Sequence, residues 1–220
     1  MIFMKYISRL ALVYTATAAS AAVAAPPGPP PSIAPSNASR GVKYYVIDDL
    51  PPGIWEEESR RHQEYKTKGY VDASEEEVSW LEAMPKAVKP LADYKEKVLV
   101  KLSNLDGTPF AGLKFLGVVR EGPPHSLSRL FSFPNGTLLL LREWDYVAEG
   151  GGMLIPKGRV NEQVNGVPAV LGIAQSQKGK AMSQLTWATE AKSYTLIMTG
   201  HVENAGMHKK MMELANSIKD

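Results

Sequence analysis

Cysteine is missing from all 220 residues, which removes disulfides, thiolate metal sites and thiol nucleophiles together. The acylated cysteine that anchors a bacterial lipoprotein is absent with them. An excess of one charge sign is lacking too: 25 basic residues face 23 acidic ones, for a formal net charge of +2. Such a balance gives no overall attraction to nucleic acid or to an anionic lipid surface. The chain has no G-x-S-x-G, H-E-x-x-H, Walker-type or G-x-G-x-x-G pattern, so the common short signatures of nucleophilic, metal and nucleotide chemistry are excluded. Four histidines are present, His62, His125, His201 and His208. Zinc needs three or four convergent ligands; His201 and His208 suggest two, and no third candidate stands near them. No metal and no cofactor is expected.

What is present begins with a leader. Lys5 and Arg9 precede the small and apolar run Leu10–Val23, and Ala22-Val23-Ala24 supplies a small-x-small cleavage site. The run is shorter than the roughly 20 apolar residues that span a bilayer. Residues 1–24 therefore read as a cleaved signal peptide, and the mature chain as periplasmic or secreted and not membrane-spanning. Loss of Lys5 and Arg9 balances its formal charge. Residues 25–40, "APPGPPPSIAPSNASR", form a proline-rich tether, since proline fixes φ and lacks a backbone donor. Residues 41–220 make one α+β domain, with a strand and a helical insertion over 41–95 and a sheet plus C-terminal helix over 96–220.

The pattern within that domain predicts its elements. "VKYYVID" at Val42–Asp48 is a strand closed by "DLPPG". "IWEEESRRHQEYKTKGY" spaces Glu57 with Arg61 and Glu64 with Lys68 for pairing along a solvated helix. Ser74 and Glu77 form a capping box, Val78, Leu81 and Met84 line one helix face, and Pro85 ends it. "EKVLVKL" reads as a strand, and Leu113–Val119 as its return. Further on, Pro134-Asn135-Gly136 closes a hairpin, and four leucines, Leu138–Leu141, imply burial on both faces. Between Val164 and Gly200 lie three alternating strands. Met207, Met211, Leu214 and Ile218 recur at helical spacing after Asn204, a suitable N-cap. That stripe should dock on an antiparallel sheet of about five to seven strands, covered mainly on one side.

Two features invite a functional reading. Glu143 and Asp145 share a strand face, an arrangement that acid–base chemistry uses but that also marks the solvated end of a strand. In "EWDYVAEGGGMLIP", Trp144 and Tyr146 share a face before Gly150, Gly151 and Gly152. Those five residues are the candidate partner-binding patch: aromatic anchors beside a mobile loop. The alternative is a long hairpin loop with Trp144 in the core. His125 beside Ser126 lies in a proline-led turn and lacks the orienting carboxylate of a serine–histidine pair.

The Asn-Gly turn, "VNGVPAV", "LTWATEAKSYTLIMTG" and "MMELANSI", in this order, resemble the C-terminal domain of MucB/RseB periplasmic sigma-factor regulators and related exported sheet-plus-helix domains. "DLPPGI" at Asp49–Ile54 is similar to the opening of that domain. The resemblance covers roughly Leu130–Ile218 and omits the large N-terminal lipid-sensing domain. It implies binding to an envelope protein or a lipidic ligand in place of catalysis. The alternative is an immunity or inhibitor protein that neutralises a secreted toxin or hydrolase. Neither reading involves nucleic acid.

Overall fold

Alternating apolar side chains in the C-terminal half build a sheet with two buried faces. A computed structural model describes residues 14–15, 41–46, 54–94, 98–120, 123–203 and 206–219. The proline-rich tether, most of the leader and Asn204 lie outside them. In chain order the elements are β1 (Tyr14–Thr15), β2 (Gly41–Tyr45), α1 (Ile54–Lys68), β3 (Val71–Asp72), α2 (Glu75–Ala83) and β4 (Lys114–Val119). Then come β5 (Ser126–Ser132), β6 (Leu138–Trp144), β7 (Gly152–Pro156), β8 (Glu162–Val164), β9 (Val167–Gln175), β10 (Ala181–Ala188), β11 (Ser193–Thr199) and α3 (Met207–Ser217).

The architecture is α+β. Eight strands form the main sheet in the order β3-β9-β10-β11-β6-β5-β4, with β8 beside β9. Its pairs are antiparallel except β3 with β9. The sheet is thus wider than the five to seven strands expected. A second sheet, β1-β7-β2, brings Tyr14 opposite Leu154 and Gly41 opposite Gly152.

Register explains the two faces, because directly opposed residues point the same way. Leu171, Leu185, Leu196 and Leu141 form one row across β9, β10, β11 and β6. The α3 stripe seals this face: Met211, Leu214, Ala215 and Ile218 are buried in the same cluster as those leucines. Ile197, Leu140, Leu130 and Met182 occupy the opposite face, where α2 covers them with Val78, Trp80, Leu81 and Met84. One-sided cover was expected; α2 makes it two-sided. The leucine run is buried on both faces accordingly, with Leu139 and Leu141 on the α3 side and Leu140 on the α2 side.

Local chemistry sets the ends. Ser74 Oγ accepts the Glu77 amide while Glu77 accepts the Ser74 amide, completing the capping box. Pro85 opens a 3-10 turn, Met84–Lys86, where α2 stops. The β5–β6 hairpin turns through Gly136 at φ +85°, a left-handed conformation that glycine adopts without strain. Three expectations are corrected here. Val98–Leu102 forms no strand; it is irregular, with a bend at Val100, and buries Val100 against Val118 and Leu127. The N-cap of α3 is Gly206, at φ +72°. Helix α1 is not merely solvated, for Glu58 and Arg61 are buried on it. Its expected surface pairs do form, Arg61–Glu57 at 2.7 Å and Lys68–Glu64 at 3.1 Å.

Edge strand β4 carries a bulge between Phe115 and Gly117. Gly117 lies at φ +139°, and a Cβ built there would sit 2.8 Å from the Lys89 carbonyl oxygen. That oxygen belongs to a backbone bridge, Lys89 with Val118, and has little room to move. Gly117→Ala is expected to cost on the order of 1–3 kcal/mol of unfolding free energy, read as a lower denaturant midpoint. An unchanged midpoint would show that the bulge relaxes freely.

Candidate functional site

The alternation that builds β6 carries a charge into the core. Leu139, Leu141 and Glu143 share one face, and Glu143 is 0% exposed. An isolated buried carboxylate is expensive unless paired and hydrogen-bonded. Here it is both. Glu143 Oε1 accepts from the Ser103 amide at 2.8 Å and from Ser103 Oγ at 2.7 Å. Glu143 Oε2 takes Arg129 Nη2 at 2.6 Å, and Arg129 Nη1 donates to the Ser103 carbonyl at 3.0 Å. Tyr194 directly opposes Glu143 in the sheet; its hydroxyl meets Ser103 Oγ at 3.3 Å, and its ring stacks on Trp187 at 5.2 Å. Burial pushes the Arg129 guanidinium below its ordinary value, while the Glu143 charge acts in the opposite direction.

This network clamps an irregular arm, residues 98–113, which ends in the 3-10 turn Pro109–Gly112, to the sheet through Ser103. Beside the arm lies a cleft of about 590 Å³ lined by Lys101, Leu102, Ser103, Asn104, Asp106, Gly107, Thr108, Lys192, Ser217 and Lys219. Lys192 comes from the β10–β11 turn, and Ser217 and Lys219 from the end of α3. Lys192 is 7% exposed and donates through Nζ to the Lys101 carbonyl. Among the described residues, none of Lys101, Lys192 and Lys219 stands in an ion pair. The cleft is open and lined mainly by polar and cationic residues.

A second buried pair holds α1 to the 3-10 turn Lys157–Arg159 between β7 and β8: Arg159 Nη1 meets Glu58 Oε2 at 3.1 Å, with side chains 5% and 1% exposed. Nearby, burial first and the charge of Lys66 second hold the His62 imidazole below its usual value. His208 contacts Glu162 at 2.7 Å, and His201 precedes α3. Among the described residues no group of three histidines, cysteines or carboxylates could hold a metal ion. No helix among them is long and apolar enough to cross a membrane.

The residues singled out from sequence fall elsewhere. Trp144 is 6% exposed and Tyr146 0%; their rings meet edge-on at 6.0 Å inside a cluster with Met153 and Ile155. The aromatic surface expected there is interior, and the Tyr146 hydroxyl donates to the Thr189 carbonyl. Gly150, at φ +73°, and Gly151 close a turn through bonds to Val147 and Tyr146, and Gly152 begins β7. That turn is further tied by the Asp145 carboxylate, which caps the Ala148 amide, and by Glu149, which accepts from the His125 amide. Glu143 and Asp145 consequently do not act as a pair: one is locked in the core and the other caps a turn. Sequence reasoning missed Ser103, Lys192 and the arm, whose contacts with the sheet are between 26 and 91 residues apart.

Comparison of the chain with protein-family models, curated proteins and solved structures finds no match.

Proposed function

We propose that the chain is an exported, non-enzymatic binding protein of the bacterial envelope, with its contact surface at the lysine-lined cleft. Export is the reading that Lys5, Arg9, the Leu10–Val23 run and Ala22-Val23-Ala24 support. Mass analysis of the secreted form should give an N-terminus at Ala25; an intact Met1 on the folded protein would sink this step. An envelope protein or a lipidic ligand is the partner that the MucB/RseB-like order of motifs suggests, and a regulatory role is its natural form.

One observation carries the choice of binding over catalysis. Both buried carboxylates among the described residues, Glu58 and Glu143, are each held by an arginine. A general acid or base must touch the group whose proton it moves; Glu58 and Glu143 are 1% and 0% exposed and face their arginines inside the core instead. Lys101 and Lys219 of the cleft are by contrast exposed and can meet a partner's acidic groups.

The test is crosslinking in cells that express the tagged full chain, followed by fractionation. A discrete envelope adduct is expected for the native chain, reduced at least about tenfold in the exposed double variant Lys101→Glu/Lys219→Glu. Equal adducts from both chains would move the contact surface off the cleft. A secreted toxin or hydrolase as the adduct would turn the reading to the immunity alternative.

A further inference from the structure

We infer that the cleft is a binding site for a small soluble dianion of the phosphate-monoester class, an assignment that rests on the cleft being the contact surface proposed above. Lys192 is a buried residue, 7% exposed, its Nζ held by one backbone carbonyl, and a cation so placed calls for a counter-charge. Glu143 does not supply it. Its two oxygens are taken by Ser103 and Arg129, and the arginine already neutralises it. The Lys192 ammonium has three donors, of which the Lys101 carbonyl takes one, and Asp106 is the one carboxylate of the lining.

Charge and polarity narrow the ligand. Three lysines and one carboxylate, Asp106, line the cleft, leaving a formal excess of two positive charges. A dianion balances that excess; a monocarboxylate leaves one charge uncompensated. The side-chain amide of Asn104, whose Oδ1 accepts from the Asp106 N–H at 2.9 Å, adds a neutral N–H donor suited to phosphoryl oxygens. Leu102 is the one large apolar residue of the lining, so the cleft offers no surface for an acyl chain. A cleft of about 590 Å³ falls in the ordinary size range of small-molecule sites. Geometry is fixed from behind: Ser103 is clamped by Glu143 and Arg129, and the arm that carries Lys101 cannot drift from Lys192.

Titrating the tag-free mature chain with inorganic phosphate and with glycerol 3-phosphate, by calorimetry at constant ionic strength, tests the assignment. Saturable one-to-one binding is expected, with chloride unable to compete at the same ionic strength. Lys192→Met keeps the stem and removes the charge, and should weaken binding at least about tenfold. Lys101→Gln/Lys219→Gln changes exposed residues only, so it tests the site without endangering the fold, and a similar loss is expected. The assignment is overturned if the native chain shows no saturation, or if the double variant binds as tightly as the native chain. Retention on phosphatidylglycerol vesicles that neither phosphate compound displaces also overturns it, in favour of a surface that reads membranes. Failure here with the crosslinked envelope adduct intact would remove the dianion and leave the binding-protein reading standing. Saturable phosphate binding without any adduct would do the reverse.

Discussion

Arg129→Met is expected to destabilise the protein by about 3–5 kcal/mol, because it leaves the Glu143 charge buried without its partner. The side chains of this pair are 10% and 0% exposed, so water cannot replace the lost guanidinium. Ser103 still offers two hydrogen bonds to Oε1, which keeps the loss from rising further. The companion variant Arg129→Met/Glu143→Gln removes both charges and should recover most of the stability, since a neutral amide can accept from Ser103. Denaturant unfolding of the two variants and the native chain gives the comparison through their midpoints. A single variant within about 0.5 kcal/mol of the native chain, the ordinary scale of an inconsequential surface change, would mean that Glu143 is not buried as a charge.

The same variants separate the two jobs of the network. Arg129 does not line the cleft; it holds Ser103 through the carbonyl and Glu143 through the carboxylate. Its loss should loosen the arm and reach ligand affinity only through position. Lys192 lines the cleft directly, so its replacement acts on affinity through charge. Stability and binding thus respond to different residues only a few side chains apart.

How far these relations could be read in advance depends on sequence distance. The three strands from Val167 to Thr199 and the hairpin at Asn135-Gly136 were legible because each is fixed by alternation and a local turn. The α3 stripe was legible by its period. Glu143 was half legible. Alternation from Leu139 and Leu141 puts it on the apolar face, and a hairpin centred on Asn135 puts Arg129 opposite Leu141, one step away on that same face. Combining register with alternation would have paired the two. Ser103 and Lys192 were out of reach, since the arm meets the sheet across 91 residues for Lys101 with Lys192, and no local pattern encodes that approach. Val98–Leu102 misled for a related reason: alternation marks a segment with one buried side, and an irregular arm lying against the core satisfies it as well as a strand does. Trp144 and Tyr146 misled because aromatics before a glycine run suit a contact patch and a core equally; the second sheet, whose Met153 and Ile155 cover them, decided for the core.

Leu214→Ala is expected to cost about 2–5 kcal/mol, the range for truncating a large aliphatic side chain in a packed interior. Leu214 is 2% exposed and sits in the cluster that α3 forms with the leucine row of the sheet. An eleven-residue helix is marginal alone in water, so α3 owes its existence to this docking, and the cavity would weaken helix and sheet together. The loss should therefore appear as one cooperative transition at a lower midpoint, with far-ultraviolet and tryptophan signals moving in step. Two separated transitions, the helical signal fading first, would show instead that α3 frays independently of the sheet. That outcome would also bear on the cleft, because Ser217 and Lys219 reach it from the end of the same helix. If the helix is held as tightly as its buried stripe implies, Leu214→Ala should lower stability while leaving phosphate affinity within about twofold at temperatures where the chain stays folded, because Ser217 Oγ bonds the Leu214 backbone carbonyl, which the substitution keeps.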